Sequence, residues 1–175
     1  QIMIDELIYA KIPAISFRPN SLFVARKGQL ASHNLTTVLE ALKQGLVPVL
    51  YGDVILDQSW NTTIFSGETS TKYLVDFLQD NNVRVNKVIQ VGITDGVYDL
   101  DGVTIPEISK SSYKVLKKNI FESRGTDVTG GMKHKIENAL EISSMGVKTY
   151  IVNGLQKDTL IEVLQGKVIK GTIVT

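Results

Sequence analysis

The chain has 175 residues, 43% of them hydrophobic and 21% charged, with a formal net charge of +1 and no cysteine. That length suits one domain, expected over residues 1–175, with a full buried core. The near-neutral balance makes no electrostatic case for a nucleic-acid or membrane-surface partner. The missing cysteines exclude disulfides and thiolate metal sites, and no stretch approaches the ~20 apolar residues of a membrane span. No signal peptide is visible at Gln1, so a cytoplasmic protein is expected.

The chain opens on "IMIDELIYAKI", a helical pattern with Ile2, Ile4, Leu7, Ile8 and Ile12 apolar. A domain seldom begins so abruptly, and a segment ahead of Gln1 is expected. Pro13 to Phe17 reads as a strand, and "LFVARKGQLAS" as a hairpin turning at Lys27-Gly28. "NLTTVLEALKQG" is a helix with Leu35, Val38, Leu39 and Leu42 as its stripe, Asn34 or Thr36 as its cap and Gly45 as its stop. Leu46 to Leu56 is one apolar run, as a strand buried on both faces requires, although Pro48 sits badly in a central strand. "TTIFS" is a short strand. The helix that follows carries Tyr73, Leu74, Phe77 and Leu78 on one face. "VNKVIQVGI" is a buried strand. Helices are expected over Tyr113–Ile120 and Lys133–Met145, then a strand "VKTYIVNG", a helix "KDTLIEVLQG" and a last strand "IKGTIV".

This alternation argues for an α/β domain with a mainly parallel sheet covered by helices. Ligands of such sheets sit beyond the carboxyl ends of the strands. Four glycine-containing loops follow apparent strands: Gly52-Asp53, Ser66-Gly67-Glu68, Thr94-Asp95-Gly96 and Asn153-Gly154. They are expected along one rim, although glycine also serves simply to turn a chain.

The stretch "GTDVTGGMKHKIENALEISSMG" carries the most chemistry. Thr129-Gly130-Gly131 leads into a helix with Ile136, Ala139, Leu140 and Ile142 on its apolar side. The first N–H groups of a helix lack internal partners and carry partial positive charge. Glycine there lets a phosphate approach the backbone, and Lys135, beside Lys133 and His134, adds a full charge. Such a grouping suits phosphate binding and the stabilisation of a transferring phosphoryl group. The blander reading is a surface helix with solvated lysines. The spacing is not that of a P-loop.

The phrases "GLVPVLYGDVILD", "IFSGETSTKYLVDFL", "TDGVYD", "DVTGGMKHKIENALE", "YIVNG" and "IKGTIV" resemble, in order and rough spacing, the amino acid kinase superfamily. Within it they are most similar to the isopentenyl phosphate kinases, over nearly the whole chain. The resemblance implies an open αβα sandwich, usually a homodimer. It also implies transfer of the ATP γ-phosphoryl group, with Mg²⁺, onto isopentenyl phosphate or a similar small phosphorylated acceptor. By position, Ser66 and Gly67 match the turn beside the acceptor phosphate, Gly130 and Gly131 the nucleotide-binding pair, and Lys135 the lysine that reaches the ATP phosphates. Asp127, Thr129 and Asp95 are further candidate nucleotide contacts. No side chain is assigned to a metal.

The chain also departs from the pattern. Glu68 stands where the superfamily usually has the aspartate that holds the catalytic lysines, and Ile93 replaces a nucleotide-contacting aspartate. The family's first strand, its "K-x-G-G-S" loop and its "GGGSFGH" segment, about 80 residues by analogy, have no counterpart here. Neither His33 nor His134 has the context of the acceptor-binding histidine. Residues 1–175 alone are therefore expected to lack full activity. Two alternatives stay open: the same fold acting on fosfomycin, an amino acid carboxylate or a nucleoside monophosphate, and a non-catalytic nucleotide-binding or dimerisation domain.

Overall fold

A computed structural model describes residues 2–117, 130–167 and 170–175. The chain divides into two compact units, Gln1–Asn82 and Val83–Thr175.

The first unit begins with α1 (Ile2–Tyr9), which buries none of its residues. Strands β1 (Ala14–Ser16) and β4 (Val47–Val49) form a short parallel pair. A four-stranded sheet has the order β3-β2-β5-β6, built from β2 (Phe23–Arg26), β3 (Gln29–His33), β5 (Asp53–Asp57) and β6 (Asn61–Phe65). Three helices complete the unit: α2 (Pro19–Leu22), α3 (Thr36–Lys43) and α4 (Gly67–Asp80). Its core gathers Leu22, Phe23, Ala25, Leu35, Val38, Ile55 and Phe65. Tyr73, Leu74 and Phe77 of α4 pack against that core, as the i, i+1, i+4 spacing demands, and the ring of Tyr73 stacks on Phe65 at 5.7 Å.

The expected single strand over Leu46–Leu56 is two strands. Pro48 lies in β4, opposite Ile15 of β1, and the ladder breaks before β5 starts at Asp53. Within β5 only Ile55 and Asp57 are buried, while Val54 and Leu56 are exposed. This strand is covered on one face, not both, and a run of apolar letters does not distinguish the two cases. The cap expected on α3 is also corrected: Leu35 takes the N-cap position with no side-chain bond. Leu35 is fully buried, so packing rather than capping fixes where this helix begins.

Asp57 makes contacts that local sequence spacing announces only in part. Its buried carboxylate accepts four backbone N–H bonds, from Lys27 at 3.1 Å, Gly28 at 2.7 Å, Ser59 at 2.8 Å and Trp60 at 2.9 Å. It thereby joins the β2–β3 turn to the β5–β6 turn. Lys27 and Gly28 have φ of 52° and 75°, the two positive values a two-residue hairpin turn requires. A lysine adopts that conformation only at a cost, which the carboxylate helps to offset. Burial pushes the Asp57 carboxyl up, but the donors of Gly28, Ser59, Trp60 and Lys27 outweigh it and hold the pKa at about 2. Because the folded value is depressed, the stabilisation is complete above the ordinary aspartate range and is lost as pH falls from about 4 through about 2. Asp57→Asn is expected to lower the melting temperature at pH 7 by roughly 5 °C or more, by a smaller margin at pH 2. Equal melting of the two proteins at pH 7 would contradict this role.

The second unit holds a sheet of order β7-β9-β10-β8: β7 (Val88–Gly92), β8 (Glu107–Ile108), β9 (Thr149–Asn153) and β10 (Gly171–Val174). β7 and β9 are parallel, β9 and β10 antiparallel, β10 and β8 parallel. The helices are α5 (Lys110–Leu116), α6 (Gly130–Ser144) and α7 (Thr159–Leu164). The α/β class expected from the alternation is what folds. The sheets mix parallel and antiparallel pairs because β3, β6 and β10 each return beside a neighbour. Ile136, Ala139 and Ile142 of α6 are fully buried. The first two join Val97, Ile108, Tyr113, Ile151 and Val174 in the core of this unit. α5 starts at Lys110, earlier than expected, because Ser109 and Ser112 form a reciprocal capping box. Residues 118–120 of the expected helix lie outside the described residues.

Candidate active site

In the first unit, β5 and β6 pair Asp53 with Phe65, which brings Gly52 against the start of α4. A side chain on Gly52 would meet Gly67 N at 3.1 Å. Two of the four glycine loops, Gly52-Asp53 and Ser66-Gly67-Glu68, therefore do come together. Ser66 is the N-cap of α4, and its hydroxyl accepts from Thr69 N at 3.1 Å. Gly67 and Glu68 occupy the first turn, where an acidic side chain suits the helix dipole. Nothing lies within 4 Å of a Cβ built on Gly67, so an anion can reach this backbone.

In the second unit, Gly130 and Gly131 are the first two residues of α6, not a loop before it, and the helix starts three residues ahead of the expected Lys133. Space beside Gly131 is open. The face of α6 bearing Ile136 and Ala139 sits on the core, which turns the neighbouring Lys135 toward the carboxyl end of β7. Its Nζ would lie 4.0 Å from a Cβ on Gly92. Lys135 stands four residues, about 6 Å of helix rise, beyond Gly131. Asp127 and Thr129 lie outside the described residues.

The remaining two glycine loops also meet. Gly154 N donates to Gly92 O at 2.8 Å, and Asn153 Nδ2 donates to Asp95 Oδ1 at 2.9 Å. Gln156 Nε2 donates to the same oxygen at 2.8 Å, and Lys170 Nζ lies 2.6 Å from Asp95 Oδ2. Asp95 is buried; the Lys170 ammonium, then the Asn153 amide, hold its carboxyl below the usual range against the opposing effect of burial. These partners are 58 to 75 residues away in sequence, and no local pattern announces them. Ile93, by contrast, is 78% exposed beside this cluster and offers no polar side-chain atom.

The loop after β7 is pinned to β10 through Gly96. Its φ is +107°, and a Cβ there would meet Thr172 N at 2.7 Å and Gly171 C at 3.0 Å. The Thr172 hydroxyl accepts from Val97 N at 2.8 Å and donates to Ile105 O at 2.6 Å. Gly96→Ala is expected to destabilise the protein by about 2–3 kcal/mol, a fall of roughly 5 °C or more in melting temperature. An alanine variant that melts with the parent would show that the loop has room the geometry denies it.

Glycines at the start of α6 and a lysine near the end of β7 thus lie in an α/β fold, a class whose ligands sit beyond the carboxyl ends of the strands. The amino acid kinase family profile matches residues 1–153, and the chain belongs to that family. Isopentenyl phosphate kinase of Methanocaldococcus jannaschii is 32% identical over 168 residues, 95% of this chain and 60% of that protein. The Arabidopsis thaliana protein of the same name is 36% identical over 162 residues, 81% of this chain and 47% of its own length. A crystal structure of an isopentenyl phosphate kinase superposes with a TM-score of 0.78 at 25% identity, over 99% of this chain and 64% of that one. The chain thus spans 60% and 47% of the length of these two relatives.

Proposed function

We propose that this chain is the nucleotide-binding portion, a single kinase-like domain, of an enzyme that phosphorylates isopentenyl phosphate to isopentenyl diphosphate with ATP. The observation that carries this reading is the Lys135 ammonium at the carboxyl end of β7, one turn beyond the Gly130-Gly131 helix start. The similarity to isopentenyl phosphate kinases across most of the chain supports the acceptor.

When bound, ATP supplies the γ-phosphoryl group. The chain's own part is positioning and charge, since phosphoryl transfer asks little covalent chemistry of a protein. The N–H groups at Gly130 and Gly131 take phosphate oxygens, and Lys135 stabilises charge on the transferring group. By the resemblance, Asp127 and Thr129 are candidate contacts of the nucleotide, and Asp95 serves the same site by holding the loops beside it. By the same resemblance, Ser66 and Gly67 are assigned to the acceptor phosphate and Glu68, in the first turn of α4, to the organising acid of the family. Mg²⁺ belongs to the reading as a companion of the phosphates, the usual mode for this ion in kinases. Among the described residues no three His, Asp or Glu side chains form a cage for it, and none is assigned to it. A homodimer and a cytoplasmic location complete the proposal. The exposed apolar residues Ile2, Met3 and Ile8 of α1 support a covered surface there. No helix among the described residues is long and apolar enough to cross a membrane.

One observation favours the non-catalytic alternative: the exposed Ile93 where a polar nucleotide contact is expected. ADP release by the full-length protein, measured with isopentenyl phosphate, glutamate, fosfomycin and a nucleoside monophosphate, separates the readings. The highest kcat/KM is expected with isopentenyl phosphate. A higher value with another acceptor selects that acceptor, and ATP binding without ADP release from any of them selects the binding module.

A further inference from the structure

The Asp95 carboxylate sits three residues after Gly92, so chain geometry keeps the two Cα atoms within about 11 Å. Lys135 Nζ stands at Gly92. A bare carboxylate at that range, close to a Debye length in ordinary buffers, repels any polyphosphate held by Lys135 and the α6 N-terminus. Asp95 is nevertheless built in deeply. It is buried, it takes one amide donor from the last residue of β9 and one from the loop after it, and its second oxygen meets Lys170 at the entrance to β10. Lys170 itself is 65% exposed. Solvent screens much of a pair whose ammonium is this exposed, so its contribution to stability is discounted and does not by itself account for the pairing.

We propose that Lys170 is a positioning and charge-compensating residue of the nucleotide site. It neutralises Asp95 so that the carboxylate can tie together the ends of β7, β9 and β10 without repelling the phosphates beside Lys135. This rests on the reading of the second unit as the ATP-binding portion. Asp95 then acts on the nucleotide through the loops it holds, both of its oxygens being engaged by protein donors.

The test is ATP affinity by titration calorimetry on the full-length protein, with melting temperature as the control for folding. Lys170→Gln keeps a hydrogen-bond donor and removes the charge. At low ionic strength it is expected to weaken ATP binding about five-fold, an effect that fades toward parity as salt screens it. Lys170→Arg is expected to bind as the parent does. Asp95→Asn placed in the Lys170→Gln background is expected to bring affinity back toward the parent, because the repelling charge is gone. A merely structural Lys170 would give neither the salt dependence nor that rescue. Parent-like ATP affinity in Lys170→Gln at low salt, or no recovery in the double variant, overturns the inference alone. Absence of ATP binding by the parent overturns the nucleotide reading and this inference with it.

Discussion

Lys135→Ala in the full-length protein is expected to lower kcat by about 10²- to 10³-fold, the range seen when one preorganised charge-stabilising group is removed. The melting temperature is expected to hold. Lys135 is half-buried on the flank of α6, whereas Ile136, Ala139 and Ile142 supply its packing. The loss belongs mainly in kcat, because charge on the phosphoryl group is distributed differently in the transition state than in bound ATP. Steady-state kinetics with both substrates saturating measures this. A variant with near-parent turnover would remove Lys135 from the site, and the helix start at Gly130 would then be a turn like any other.

The second large effect is expected at Glu68. Ser66 already caps α4 through its bond to Thr69 N, and an acid at Glu68 in the first turn adds a dipole interaction of roughly 0.3–1 kcal/mol. Glu68→Gln is therefore expected to melt within about 4 °C of the parent while kcat falls by ~10-fold or more, about 1.4 kcal/mol of transition-state stabilisation. Glu68→Asp is expected to retain activity, since aspartate is what the superfamily usually carries. If the glutamine variant loses only stability, with kcat unchanged, Glu68 is a helix-start acid and nothing more.

What the sequence revealed and what it hid divide along the range of the interactions. Patterns internal to one element were legible. The Tyr73, Leu74 and Phe77 stripe of α4 and the Ile136, Ala139 and Ile142 face of α6 follow from helical periodicity alone, and both pack as expected. The Lys27-Gly28 turn was legible for the same reason. The start of α6 lies three residues ahead of the expected Lys133, because glycines read as loop letters whether they precede a helix or open it. The break at Leu50–Gly52 was hidden because apolar runs look alike whether one face or two are covered. Asp57 was half-legible: an aspartate two and three residues before the N–H groups it accepts is a common turn device, but its bonds to Lys27 and Gly28 span 30 and 29 residues. The meeting of the Asp95 and Asn153 loops was legible from their places after two strands, but the contacts of Gln156 and Lys170 with Asp95 were not. The three partners of Asp95 come from the end of β9, the loop after it and the approach to β10, and only the folded sheet fixes those contacts. The phosphate-binding reading stood on local features, a helix start and a lysine, while the charge balance that would tune it is entirely long-range.

The central claim is that phosphoryl transfer to isopentenyl phosphate is the chemistry of this protein. Phosphorus NMR of the full-length protein incubated with ATP, Mg²⁺ and isopentenyl phosphate follows it directly. The account predicts that the monophosphate resonance is replaced by the paired resonances of isopentenyl diphosphate, with ADP appearing in equal amount. An isopentenyl phosphate signal that persists unchanged beside intact ATP would contradict it.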